Sequence, residues 1–263
     1  MNPLQLREFK KQNRKLTMVT CYDAWSAKLL AETPVDMLLV GDSSAMVMHG
    51  HADTLPADID MMVPHTAAVR RGASNKFIVA DLPFLAFRGS LSESVAAVRR
   101  LMQAGANAVK IEGYDSHNHH LIEHLVSSGV PVMGHIGLTP QFLHAFGGFR
   151  VQGRGEEAAQ RILAQAQGLE NAGCFSLVLE CVPAALASEI TRVLKIPTIG
   201  VGAGPDCDGQ VLVLQDLLGL TAGFKPKFVR TYLDGAEQMR SALRRFCEDV
   251  TSGRFPGVEE SYE

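Results

Sequence analysis

Six ionisable residues stand at the ends of short apolar runs in this chain. Val35–Asp42 ends in Asp42, Lys76–Asp81 in Asp81, Ala108–Glu112 carries Lys110 and Glu112, Val130–His135 ends in His135, and Ser176–Glu180 in Glu180. Lys110 and Glu112 are two residues apart, so an extended chain puts both on one side. A protein core does not tolerate six such groups without water, partners or a metal.

Three of the six, Asp42, Asp81 and Glu112, are carboxylates suited to a hard cation. Mg²⁺ takes oxygen ligands, keeps some of its waters and shares its octahedron with substrate. No cysteine cluster and no H-E-x-x-H favours zinc. The competing reading is surface acids that happen to follow strands. Lys110 compensates the carboxylates in either case. Glu180 lies among apolar neighbours in Leu177–Pro183. That setting tends to raise a carboxylate pKa and suits a proton acceptor, or else the group caps the following helix. His135 either donates a hydrogen bond to a substrate oxygen or packs behind the site. Ser43 lacks a serine elbow, so its hydroxyl or N–H is better suited to holding a substrate carboxylate.

The elements that must position these groups follow from the same runs. Lys15–Cys21, Ile196–Gly200 and a weaker Gln210–Gln215 complete eight strand candidates, apolar on both faces as buried parallel strands are. Helical patterns alternate with them: Ala24–Glu32, Ser90 through Gln103 behind a Ser90–Glu93 capping box, Asn118–Ser128, Glu156–Asn171 and Pro183–Leu194. This order predicts a closed (β/α)8 barrel, with chemistry at the C-terminal ends of the strands. An open doubly wound sheet is the rival, but the first turn has no G-x-G-x-x-G. One barrel domain is expected over residues 1–263, with a short N-terminal extension, a last helix at Ala236–Val250 and a surface tail from Gly253. Ser44–Thr66 reads as one long loop, and Phe146–Gly155 as a lid-like segment carrying Arg150 and Arg154. His117, His119, His120 and His124 read as a solvated loop and outer helix face.

Composition excludes several classes. The chain has 46% hydrophobic residues and a net charge of −3, from 25 basic and 28 acidic residues. It is neither disordered nor a general binder of nucleic acid or acidic membrane. Five cysteines without C-x-x-C spacing indicate neither disulfides nor a zinc knuckle. No secretory signal and no apolar run of membrane-spanning length is present, so a cytoplasmic location is expected.

A set of motifs in order along the chain sharpens these expectations. They are Thr20–Asp23, Val40–Ser43, Thr54–Pro56, His65–Gly72, Ala80–Phe84, Val109–Gly113, Gly134–Gln141, Gly153–Gly155, Leu179–Pro183, Ile199–Gly204 and Asp206–Gln210. Together they resemble the ketopantoate (3-methyl-2-oxobutanoate) hydroxymethyltransferase family from about Lys15 to Pro256. The resemblance implies a barrel of the phosphoenolpyruvate/pyruvate superfamily. It implies transfer of a hydroxymethyl group from 5,10-methylenetetrahydrofolate to 3-methyl-2-oxobutanoate, giving 2-dehydropantoate and tetrahydrofolate. This is the first committed step of pantothenate biosynthesis. The implied partners are Mg²⁺, the 2-oxo acid, the folate and a homo-oligomer, commonly a decamer. By residue, it implies Asp42, Asp81 and Glu112 as metal ligands, Asp42, Ser43, Asp81, Lys110 and His135 as substrate contacts, and Glu180 as the catalytic base. Departures are Ser44-Ala45 for the usual Leu-Gly, Ala57-Asp58 for Val-Thr, and a slightly expanded Tyr114–His120. A superfamily relative acting on another 2-oxo acid without folate is the alternative enzyme. A non-enzymatic scaffold is the alternative outside catalysis.

Overall fold

A strand that is apolar on both faces needs cover on both, and a barrel supplies it with side chains inside and helices outside. The computed structural model describes residues 1–221, 223 and 225–262. It contains β1 (Leu16–Thr20), β2 (Met37–Val40), β3 (Phe77–Asp81), β4 (Ala108–Glu112), β5 (Val132–Gly137), β6 (Ser176–Glu180), β7 (Thr198–Val201) and β8 (Gly209–Leu212). All eight pair in parallel in chain order, and β8 returns to β1 to close the barrel. Closure brings Leu16 and Ile199 against Gly209 from either side. A Cβ on Gly209 would lie 2.6 Å from the Leu16 carbonyl oxygen and 2.7 Å from Ile199.

The helices are α1 (Pro3–Lys11), α2 (Ala24–Ala31), α3 (Ser44–Val47), α4 (Ile59–Gly72), α5 (Leu91–Gln103), α6 (Ser116–Ser127), α7 (Leu143–Phe146), α8 (Glu156–Asn171), α9 (Ala184–Val193), α10 (Leu214–Leu217) and α11 (Gly235–Thr251). The capping box at α5 forms: Ser90 Oγ accepts from the Glu93 N–H, and the Glu93 carboxylate accepts from the Ser90 N–H.

Two expectations need correction. The segment Ser44–Thr66 is not one long loop: α3 occupies its start and α4 begins at Ile59. Asp58 caps α4 by accepting from the Met61 N–H at 2.7 Å, so the departure at Ala57-Asp58 supplies a helix start. Pro64 inside α4 obscures the pattern, although Met62, Thr66 and Val69 form a buried stripe at helical spacing. The N-terminal extension is also more than a polar leader. Its helix α1 contributes Leu6 to the barrel's interior cluster and packs Phe9 against it. Lys10 pins α1 to Asp208 at 2.8 Å.

Inside the barrel the apolar layers are Leu16, Met18, Met37, Leu39, Phe77, Val79, Ala108, Met133, Val178, Ile199 and Val211. Two residues further along four of the same strands, the inward side chains become Asp81, Lys110, His135 and Glu180.

The chain forms two compact units, Met1–Val213 and Leu214–Glu263. The barrel and every residue of the site described in the next subsection lie in the first. Within the second, Leu217 and Leu218 carbonyls accept from the Tyr232 and Gly235 N–H groups, tying α10 to the start of α11. Phe246 on α11 meets Phe255 edge to face at 5.6 Å. Among the described residues, no helix is long and apolar enough to cross a membrane.

Candidate active site

Strand register sets the order of charges around the mouth. Asp81 on β3 is the register partner of Lys110 on β4. Glu112, two residues on, is the partner of His135 on β5. Glu180 on β6 is the partner of Gly137, two residues past His135. Adjacent parallel strands therefore place acid beside base, twice in succession. Lys110 Nζ lies 3.1 Å from Asp81 Oδ1 and 3.5 Å from Glu112 Oε1. His135 Nδ1 is 3.2 Å from Glu112 Oε1, and Nε2 is 3.2 Å from Glu180 Oε2. Four of these groups are buried, as is Asp42, whereas the Glu180 side chain keeps 19% of its surface exposed. Glu180 is thus the acid of the ring that an incoming molecule meets.

Asp42 and Ser43 enter from the turn after β2. The Asp42 N–H donates to Asp81 Oδ2 at 3.1 Å, which ties the β3 carboxylate to the turn that carries Asp42. Ser43 exchanges a hydrogen bond with the Tyr22 hydroxyl at 2.8 Å. The close approach of β5 to β6 requires Gly137 at φ +96°, because a Cβ there would strike the Glu180 carbonyl. The Leu138 N–H donates to that same carbonyl at 2.8 Å.

The electrostatics follow from burial and neighbours. Burial, then the charges of Glu112 and Asp81, push the Asp42 carboxyl well above the ordinary range. Burial also raises Asp81, with Lys110 opposing. Burial opposes the charge on Lys110, but Asp81, Glu112 and Asp42 outweigh it and hold the ammonium on. Glu112 is lowered: His135 and Lys110 overcome its burial. His135 is raised to about 9, because Glu112 and Glu180 outweigh burial and the repulsion of Lys110. Its Nε2 faces Glu180 Oε2 at 3.2 Å, while its Nδ1 lies between Glu112 and Lys110 Nζ, the latter at 3.1 Å.

The structure therefore gathers all seven residues singled out from the sequence at one end of the barrel, with Asp42, Asp81 and Glu112 close enough that their charges act on one another. Asp42 meets Asp81 through its backbone N–H, and the charge of Glu112 bears on it more strongly than that of Asp81. Glu112 is in turn engaged by Lys110, His135 and the Gln141 N–H, which donates to Glu112 Oε2 at 3.1 Å. Among the described residues, no three His, Cys, Asp or Glu side chains are grouped to hold a metal ion as they stand. The Asp42–Asp81 pair nevertheless has the donor chemistry of a hard dication, which is held by one or two carboxylates plus water and substrate oxygens. Asp81 Oδ1 has only the Lys110 ion pair at 3.1 Å, and the charges of Glu112 and Asp81, which add to burial in raising Asp42, are what a cation would neutralise.

Sequence reasoning missed two residues of this site, Tyr22 and Gln141. Gln141 follows β5 on a 3₁₀ turn opened by Pro140. It belongs to the motif Gly134–Gln141, which was the signal available. Of the histidines set aside, His120 and His124 are exposed on α6 as read, and His119 contacts the Tyr114 hydroxyl at 2.9 Å. Beside the mouth a cavity of about 330 Å³ is lined by Arg88, Tyr114, Phe142, Phe146 and Arg161 and by Gly113 and Gly137.

A closed parallel barrel with its ionisable groups at the C-terminal mouth defines a class. The chain superposes on phosphonopyruvate hydrolase solved with oxalate and Mg²⁺, at TM-score 0.63 and 15% identity, covering 99% of this chain and 93% of that one. It superposes likewise on 2,3-dimethylmalate lyase, a PEP mutase/isocitrate lyase superfamily member, at TM-score 0.61 and 15% identity, covering 99% and 91%. At that identity the likeness is one of fold alone.

The chain belongs to the ketopantoate hydroxymethyltransferase family, whose match spans residues 1–258. It is 54% identical over 259 residues to 3-methyl-2-oxobutanoate hydroxymethyltransferase of Bdellovibrio bacteriovorus, covering 98% of each chain. The enzyme of the same name from Coxiella burnetii is 52% identical, covering 98% of this chain and 97% of the relative.

Proposed function

We propose that this chain transfers a hydroxymethyl group to 3-methyl-2-oxobutanoate from 5,10-methylenetetrahydrofolate, with water consumed and 2-dehydropantoate and tetrahydrofolate released. The observation that carries the reading is the partly exposed Glu180 beside five buried ionisable groups, in a chain matched over 98% of its length by a hydroxymethyltransferase.

The chemical demand is a carbon nucleophile made from a 2-oxo acid at neutral pH. Its C3–H is weakly acidic, so the negative charge that develops on the keto oxygen needs stabilisation. Mg²⁺ held by Asp42 and Asp81 supplies that positive charge when bound. The chain's own residues do the rest. Lys110 is held as an ammonium by its carboxylate neighbours and keeps the mouth's charge from being uniformly negative. Glu112 and Glu180 raise the His135 pKa, which favours its charged form, and its Nε2, facing Glu180 at 3.2 Å, is placed to donate to a substrate oxygen that enters beside that acid. Ser43, oriented by Tyr22, offers a hydroxyl to the substrate carboxylate. Glu180 takes the C3 proton, directly or through water. Its contact with His135 places the charged donor beside the base, so deprotonation and charge stabilisation occur at neighbouring atoms. The new C–C bond then forms between C3 and the one-carbon unit of the folate, and water releases tetrahydrofolate. The aromatic-lined cavity at the rim leaves room beside the mouth for the carrier. The same reading includes a cytoplasmic homo-oligomer.

The test is proton–deuterium exchange at C3 of 3-methyl-2-oxobutanoate in D₂O, followed by NMR, with and without Mg²⁺. Wild-type protein should exchange only with the metal and form hydroxymethylated product once methylenetetrahydrofolate is added. Glu180→Gln should lose roughly 10²–10⁴-fold in exchange while still binding the keto acid. No exchange and no product from folded, metal-loaded wild type would overturn the reading in favour of a different 2-oxo acid. Undiminished exchange in Glu180→Gln would overturn the base assignment.

A further inference from the structure

We infer that Gln141 is a positioning residue that locks the Asp42 carboxylate for cation binding and ties it to Glu112. The inference rests on Asp42 and Asp81 as the cation pair proposed above.

One end of the Gln141 side-chain amide touches Asp42 Oδ2 at 2.9 Å and the Leu82 carbonyl oxygen at 3.0 Å. Both partners are acceptors, so that end is the NH₂, and both of its hydrogens are used. The main-chain N–H of the same residue donates to Glu112 Oε2 at 3.1 Å. Three donors on one residue thus fix a carboxylate from the β2 turn, a carboxylate from β4 and the backbone just past Asp81. Gln141 can do this because its own backbone is fixed. Pro140 restricts the turn, the Phe142 N–H donates to the Thr139 carbonyl at 2.8 Å, and the side chain is only 3% exposed.

The consequence is a division of labour within Asp42. Oδ2 is occupied by the amide, and a hydrogen bond to a ligating carboxylate fixes its orientation and tunes its affinity. The remaining end of the amide, Oε1, is buried and has no partner in the protein. A buried acceptor of this kind is costly unless filled. Beside a hydrated cation its natural donor is a cation-bound water. Gln141 therefore addresses the cation twice: through the carboxylate it orients and through a water that its carbonyl receives. Neither role needs Gln141 to touch the reacting carbon.

The experiment uses Mn²⁺ as a paramagnetic probe of the full-length chain. Gln141→Met keeps the length of the side chain and removes both donors and the acceptor. The variant should bind Mn²⁺ roughly 10–100-fold more weakly by EPR titration. The Mg²⁺ concentration that half-saturates C3 exchange should rise by a similar factor, with much of the maximal rate recovered at high Mg²⁺. A merely structural role would lower the amplitude at every metal concentration and leave the midpoint in place. If the variant fails to fold, wild-type protein labelled with ¹⁵N-glutamine gives the answer. Sub-stoichiometric Mn²⁺ should bleach one glutamine side-chain NH₂ signal before the others. Unchanged Mn²⁺ affinity in folded Gln141→Met, or no selective bleaching, would overturn this inference alone. No Mn²⁺ binding by wild type would overturn the cation pair itself, and this inference with it.

Discussion

The two ends of the barrel interior are built from the same strands and the same inward face, yet they obey opposite rules. On β3, Val79 is succeeded by Asp81; on β4, Ala108 by Lys110 and then Glu112; on β5, Met133 by His135; on β6, Val178 by Glu180. Toward the N-terminal end every layer removes apolar surface from water, which stabilises the fold at about 25 cal/mol per Å². At the C-terminal end the same geometry buries charge, which costs free energy unless each ion is paired. One step of the strand repeat, two residues, separates the part that holds the protein together from the part that does chemistry. The strands can carry both because their stability is secured below the mouth.

The comparison is broken most severely by removing the one lysine. Lys110 faces three buried carboxylates, and Lys110→Met would leave their charges without it. We expect a loss of about 3–5 kcal/mol at neutral pH. Met133→Ala, in the apolar layer, should cost about 2–5 kcal/mol through its cavity. Magnitude alone does not separate them, but pH does. Lowering the pH protonates the raised carboxylates of Asp42 and Asp81, so the Lys110→Met deficit should shrink, while the Met133→Ala deficit should hold. Urea melts at pH 5 and 8 measure both, and parallel behaviour would show that the mouth is not governed by charge.

A smaller and opposite effect is expected at Asp42. Its folded pKa is raised, so its ionised form costs stability at every pH above its unfolded value. Asp42→Asn removes that charge and keeps an acceptor for Gln141. With EDTA present, we expect the melting temperature to rise by about 2–4 °C, corresponding to about 1 kcal/mol. With Mg²⁺ the order should reverse, because only wild type gains stability from the ion. A variant less stable than wild type under both conditions would contradict an electrostatically strained mouth.

The barrel and its charged rim were legible because a period-two pattern ending in a polar residue survives in sequence. Asp81, Glu112, His135 and Glu180 each break an apolar run at its last turn of the pleat. Helix α4 was less legible because Pro64 interrupts it, and α1 because its only buried side chain is Leu6. Gln141 was not legible in this way at all. It lies on an irregular turn, and its partners Asp42 and Glu112 are 99 and 29 residues away. Tyr22 sits just past β1, at the same rim, but a search for charged groups passes over a buried phenol that works through Ser43. Strand-borne chemistry is periodic and leaves a trace of its own; contacts made from turns depend on closure of the whole barrel and leave no periodic one.

The smallest effect, and the one that most sharpens the contrast, concerns His135. Glu112 and Glu180 hold its pKa up to about 9 against an ordinary value near 6.5. A basic group whose folded pKa exceeds its unfolded value stabilises the fold fully below pH 6.5, and that contribution is lost as pH rises through 9. Metal-free wild type should therefore lose stability between these limits, and His135→Gln should lack that part of the slope. Met133→Ala, two residues back on the same strand, should retain it. The direct measurement is the imidazole titration by NMR in EDTA. A midpoint near 9 would mean that the acids on β4 and β6, not burial, govern the ring. A midpoint at or below 6.5 would mean that burial and Lys110 win, leaving a neutral imidazole whose Nε2–H is a weaker donor to a substrate oxygen. The chemistry assigned to the mouth would then rest more heavily on Lys110 and the cation.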